Sequence, residues 1–195
     1  LSGSDTRYLC TRGRRQSQLI TSIEVDVHRS LADGVYGERI PLDHLHATTE
    51  PLQLAGRTLR ALSGPGRVLH AAYHAVVGSF TPSWANRRDL AWYLAQETVP
   101  PADVVAEARR WGGEAVLAAA VELVRRDLGV VAADWYRWAD ATAIDAREQR
   151  LVSRLRHGDT GIGRARLDLL RELPSWRDRS RYVRGLVQPL DAQDS

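Results

Sequence analysis

The stretch Ile23-Glu24-Val25-Asp26-Val27-His28-Arg29 alternates apolar and polar residues. Successive side chains of an extended chain point to opposite faces. Ile23, Val25 and Val27 therefore share one face, and Glu24, Asp26 and His28 share the other. The spacing predicts a β-strand with one apolar side and one side projecting two carboxylates and an imidazole. Same-face neighbours on a strand stand about 7 Å apart, since the rise is ~3.3 Å per residue, and this suits oxygen ligands for a Mg²⁺ ion shared with substrate phosphates. A solvated edge strand gives the same pattern. Upstream, Tyr8-Leu9-Cys10 offers a partner strand across a turn at Gly13-Arg14-Arg15-Gln16-Ser17. Two strands alone are marginal in water, so more sheet is expected upstream of Leu1.

Downstream the pattern changes. Gly34, Gly37, Pro41, Pro51, Gly56, Gly64 and Pro65 punctuate a loop-rich connector. The period then becomes helical: Val68, Leu69, Ala72, Val76 and Val77 recur at three- and four-residue spacing. Thr81-Pro82-Ser83 supplies a break and an N-cap for a helix through Leu94. Further helices are expected at about Asp103 to Trp111, Glu114 to Leu128, Trp135 to Arg156, Ile162 to Leu173 and Trp176 to Val187. They are separated by Gly112-Gly113, Gly129, Gly158 to Gly163 and Pro174. The expected organisation is a β segment over 1–32, a connector over 33–66 and a helical domain over 67–195. The fold class is α+β.

Composition narrows the function classes. The chain of 195 residues is 44% hydrophobic and 26% charged, in the range of a globular domain. Its longest unbroken apolar stretch, Ala115 to Val121, falls far short of the ~20 residues of a membrane-spanning helix. No signal peptide is visible, and a single cysteine, Cys10, precludes an internal disulfide framework or a Cys-based zinc cluster. The expected compartment is cytoplasmic. The chain opens on Leu1 and has no Met, which suggests the tail of a longer product. All 27 basic residues are Arg. Residues 147–184 hold eleven of them against five acids, a balance of +6, while the rest of the chain stands at −3. Such a segment could meet an anionic partner, but interspersed acids and the lack of an aromatic ladder favour a solvated helical face over a nucleic-acid surface.

Other constellations are weaker. His70 and His74 lie four apart on a predicted helix, as metal-binding imidazoles would, yet Ala71 stands where a zinc hydrolase has Glu, and no third ligand stands out among His44, His46 and His157. Packing histidines are the expectation. Ser4 and Cys10 lack a nucleophile-elbow context, and Gly158 to Gly163 reads as an interhelical turn because it lacks the Lys of a phosphate loop. The tryptophans at 84, 92, 111, 135, 138 and 176 fall on helical segments and are expected to mark packing.

Three segments in order carry a resemblance: Ile-Glu-Val-Asp-Val-His-Arg-Ser-Leu (23 to 31), Leu-His-Ala-Ala-Tyr-His-Ala (69 to 75) and Arg-Arg-Asp-Leu-Ala-Trp-Tyr-Leu (87 to 94). Together they resemble the uncharacterised nucleotidyltransferase-like family of bacteria, over roughly Thr21 to Leu94. The resemblance implies a nucleotidyltransferase fold in which three acidic residues bind two Mg²⁺ and a nucleoside triphosphate, whose nucleotidyl group passes to an acceptor. It makes residues 1–32 the remnant of that fold's β-sheet core, followed by a C-terminal helical bundle. Asp26 matches the third acidic position, with catalytic and metal-binding roles; the strand alternation, not the resemblance, adds Glu24 on the same face as a weaker candidate metal ligand. The chain departs from the pattern upstream. Gly3-Ser4 is present, but Arg12, Arg14 and Arg15 stand where an Asp-x-Asp pair would follow. One Asp cannot hold the two ions of such a site, so the competent enzyme is expected to need further carboxylates. The acceptor is not legible. The alternative is a non-catalytic helical interaction module for a protein or RNA partner.

Overall fold

The computed structural model describes residues 6–11, 22–27, 31–32, 34–78, 83–96, 98–129, 132–157, 170, 173, 175–177, 179–180 and 183. The chain is mostly helical, with two small antiparallel hairpins, and so belongs to the α+β class. Among the described residues no helix is long and apolar enough to cross a membrane.

The first hairpin pairs β1 (Thr6–Thr11) with β2 (Ser22–Val27). The alternation around Val25 thus forms the expected strand, and the partner is the one expected from Tyr8-Leu9-Cys10. In its register Asp26 stands opposite Arg7, and Glu24 opposite Leu9. The side chains of Glu24 and Asp26 lie outside the described residues, as do Gly3, Ser4, Arg12, Arg14, Arg15, His28 and Gly158 to Gly163.

The segment expected as a connector carries regular structure: α1 (Gly34–Arg39), α2 (Leu42–Ala47), and a hairpin of β3 (Glu50–Leu54) with β4 (Arg57–Ala61). Its glycines and prolines sit within elements, as Gly37 and Pro51 do, and at their ends as well as in loops. Pro41 precedes α2, and Gly56 (φ 74°) occupies the two-residue turn with Ala55 (φ 49°). Four buried side chains, Val35, Tyr36, Ile40 and Leu45, join the core of the helices that follow. A count of turn residues does not register these anchors.

Among the described residues six further helices follow: α3 (Gly64–Val76), α4 (Trp84–Ala95), α5 (Pro101–Arg110), α6 (Glu114–Leu128), α7 (Ala133–Ala141) and α8 (Ala146–His157). α3 and α4 begin as serine caps dictate. Ser63 Oγ accepts from the Gly66 N–H at 3.3 Å, and Ser83 Oγ accepts from the Asn86 N–H at 3.1 Å. α5 and α6 end where glycine can turn left-handed, Gly112 (φ 61°) and Gly129 (φ 65°). The stretch expected as one helix over Trp135 to Arg156 is two. The Asp145 carboxylate accepts from the N–H groups of Arg147 (2.8 Å) and Glu148 (3.3 Å), which starts α8 afresh.

α3 and α6 form the centre. Val68, Leu69, Ala72, Tyr73, Ala75 and Val76 of α3 are buried, as are Val116, Leu117, Ala120, Val121, Leu123 and Val124 of α6. Each fully buried Val or Leu contributes ~1.5–3 kcal/mol of transfer free energy. α4, α5 and α8 pack on α3, and α7 packs on α6 through Trp135. The tryptophans divide: Trp111 and Trp135 are buried and Trp138 is half-buried, but Trp84, Trp92 and Trp176 are exposed. The packing expectation fails for those three because a helical segment gives periodicity but does not say which of its sides meets the core.

Candidate functional site

α3 and α4 lie side by side and bring the second and third segments of the resemblance into one place. From α3, Arg67, His70, Ala71 and His74 point to the seam at three- and four-residue spacing. Asn86, Asp89 and Tyr93 answer from α4 at the same period. Between them is an open cleft of about 290 Å³. The imidazoles of His70 and His74 meet edge to face with centroids 4.6 Å apart. Asn86 Nδ2 reaches the His74 carbonyl at 3.5 Å, which ties the two helices at the cleft floor. Asp89 Oδ1 accepts from the neighbouring Arg88 at 2.8 and 3.0 Å, so its carboxylate is partly neutralised at the rim. The cleft thus offers imidazole, carboxylate, carboxamide, phenol and guanidinium groups, a set suited to a small polar ligand.

Metal chemistry finds no ready cage. Among the described residues no three His, Cys, Asp or Glu side chains come together to hold an ion. His44 and His46, considered as third ligands for the histidine pair, lie on α2; His44 is engaged elsewhere. The described residues by themselves do not make the two-metal carboxylate site that the resemblance implies.

Two clusters escaped the sequence reading. In the first, Glu107 is buried among Val104, Val105 and Ala108 on α5. The Trp111 indole N–H donates to its Oε1 at 2.8 Å, Arg110 donates to Oε2, and His44 Nε2 lies 3.0 Å from Oε1. Such saturation by donors is what permits a buried carboxylate. The signal was legible: a Glu on an apolar helical face, with Arg and Trp three and four residues on. In the second, Tyr36 Oη donates to Glu148 Oε2 at 2.8 Å, and Arg39 forks onto both Glu148 oxygens at 3.1 Å. Burial, then the Glu148 charge, pushes the Tyr36 phenol far above its usual range. These partners are over a hundred positions apart in sequence, and no local pattern announces them.

On the outer side of α4 runs a second, apolar groove of about 490 Å³, lined by Trp84, Ala85, Arg88, Ala91, Trp92, Ala95 and Leu128. Comparison with known protein families, with curated proteins and with solved structures finds no match to this chain.

Proposed function

We propose that the chain is part of a nucleotidyltransferase-family protein that moves a nucleotidyl group from a nucleoside triphosphate to an acceptor hydroxyl or phosphate. What supports the reading is the order of the three segments together with one observation: the two helical segments, 69–75 and 87–94, line a single polar cleft. Asp26, on β2, is the proposed catalytic carboxylate and metal ligand, and Glu24 an accessory ligand. Mg²⁺ and the triphosphate are the proposed cofactor and donor. Carboxylates beyond Asp26 must join the site, since a two-metal mechanism clamps attacking and leaving oxygens between ions that one Asp cannot hold. The cleft between α3 and α4, with His70, His74 and Asp89, is the proposed seat of the acceptor.

A labelled-triphosphate transfer assay against cell extract tests this. The 195-residue chain alone is expected to transfer nothing detectable. A longer protein that adds Gly-Ser and Asp-x-Asp upstream is expected to transfer label, and Asp26→Asn in it to abolish transfer while leaving the fold intact. Equal activity in all three would overturn the assignment of Asp26.

The second reading, a non-catalytic helical module for a protein or RNA partner, is favoured by the solvent exposure of Trp84 and Trp92 on one side of α4. Inactivity of all three proteins would put it ahead.

A further inference from the structure

Three helices deliver arginines to one carboxylate. Arg87 comes from the first turn of α4, Arg126 from the last turn of α6 and Arg156 from the last turn of α8. Asp127, 15% exposed at its side chain, is their common neighbour. Its Oδ2 lies 3.1 Å from Arg87 Nη1, and its Oδ1 accepts from Arg126 Nε at 2.9 Å.

One carboxylate does not satisfy three guanidiniums. Among the described residues Arg87 Nε is buried without an acceptor, and Asp127 Oδ2, though 3.1 Å from Arg87 Nη1, is buried without a hydrogen bond. Arg156 is half-buried, and among the described residues it makes no hydrogen bond or ion pair, though it lies in the electrostatic field of Arg87, Arg126 and Asp127. Burial first, and then the charge of Arg126, disfavours its cationic form. Arg87 also stands near the positive end of the α4 dipole, where a cation is disfavoured. Glu122, one turn before Arg126, is exposed and lies 3.9 Å from Arg125. Glu122 also acts on Arg126, yet three arginines around Asp127 keep an excess of positive charge and unused donors.

We propose that Arg87, Arg126 and Arg156, organised by Asp127, form a binding site for a phosphate-class oxyanion. Guanidinium forks match tetrahedral oxyanions in geometry, and an anion among them supplies acceptors to the donors of Arg87 and Arg156 that Asp127 does not meet. The apolar groove adjoins this site. Leu128, next in sequence to Asp127, lines it, and Arg87 Cζ lies 5.7 Å from the centre of the Trp84 ring that forms its end. A phosphate ester with a planar or apolar body would lay that body against Trp84. The three arginines and Asp127 are not among the residues that line the α3–α4 cleft, and the site does not rest on the activity proposed above.

Titration calorimetry of the full 195-residue chain with inorganic phosphate, chloride replacing phosphate at constant ionic strength, tests this directly. One site per chain is expected. Loss of a charge-assisted donor in Arg156→Gln or Arg126→Gln is expected to weaken binding at least about tenfold. Arg137→Gln, at an exposed arginine of α7, is the charge-matched control and should bind as the unaltered chain does. Arg126 is itself largely exposed, so its variant keeps the test intact if Arg156→Gln fails to fold. Phenyl phosphate separates the sources: tighter binding than phosphate marks a phosphate ester, and equal binding marks the free ion. A heat no greater than that of chloride, or unchanged affinity in both Arg126→Gln and Arg156→Gln, would overturn the site.

Discussion

The hydroxyl of Tyr73 occupies the space that a side chain at residue 113 would need. A Cβ built on Gly113 would stand 3.0 Å from Tyr73 Cζ, 3.1 Å from Cε2, and deep inside contact distance of Oη. Tyr73 is fully buried and wedged edge-on against Tyr36 and Trp111, with centroids 5.8 and 5.6 Å away. Among the described residues its hydroxyl has no hydrogen-bond partner. The missing side chain of Gly113, at the junction of α5 and α6, is what lets the central tyrosine of α3 fit.

Gly113→Ala is therefore expected to destabilise the chain by about 1–3 kcal/mol or more, through overpacking against an immobile ring. Tyr73→Phe, which removes a buried unpaired hydroxyl, is expected to be neutral or stabilising. Urea unfolding of the two single variants and the double should show coupling, the alanine costing less when residue 73 is Phe. Strict additivity would mean that the two residues do not share this space.

Glu107 gives a second test. Glu107→Ala strands the Trp111 indole N–H inside the core and leaves Arg110 and His44 without their acceptor, so a loss of about 2–4 kcal/mol is expected. Glu107→Gln keeps an acceptor for the indole and should cost less. Unfolding followed by tryptophan fluorescence would reveal the ranking; equal costs would make the hydrogen bond to Trp111 irrelevant.

Alkaline pH should unfold the chain through two phenols. Burial is the largest cause that raises Tyr36 and Tyr73, with the Glu148 charge adding to it in both. In the unfolded chain such phenols ionise near ~10. Stability is then fully present below that pH and falls as pH rises beyond it, because the unfolded state releases protons that the fold retains. Phenolate absorbance should show two of the six tyrosines ionising only with the loss of helical circular dichroism. Complete titration ahead of unfolding would contradict this.

Replacing His70 and His74 together by Ala is expected to lower the melting temperature by a few degrees, since the edge-to-face pair and its helix-helix contacts are lost. The metal content of the purified chain should not change. Stoichiometric zinc that disappears in the variant would reverse the packing assignment.

Much of the local structure was legible because it depends on near neighbours. Alternation at Ile23 to Val27 gave the strand, Ser83 and Gly129 marked a helix start and a helix end, and the three- and four-residue spacing of Val68, Leu69, Ala72 and Val76 marked the buried side of α3. The break at Thr142 to Asp145 was missed although Asp145 is a good cap, since apolar residues on both sides continue a helical period. The regular structure in 33–66 is not legible locally because Gly and Pro mark element ends and loops alike, while the anchors Tyr36, Ile40 and Leu45 are held by helices that come later in the chain.

For the candidate sites the sequence by itself determined the inventory: Asp26 and Glu24 on one strand face, two histidines one helical turn apart, and an arginine excess late in the chain. Tertiary structure alone decided which groups meet. It set His70 and His74 opposite Asn86 and Asp89, brought His44 to Glu107 across 63 residues, and drew Arg87 and Arg156 to Asp127 from two other helices. The physical reason is range. Periodicity and capping act within a few residues and are written in local order, whereas which side of a helix is buried, and beside which charge, depends on how the helices pack.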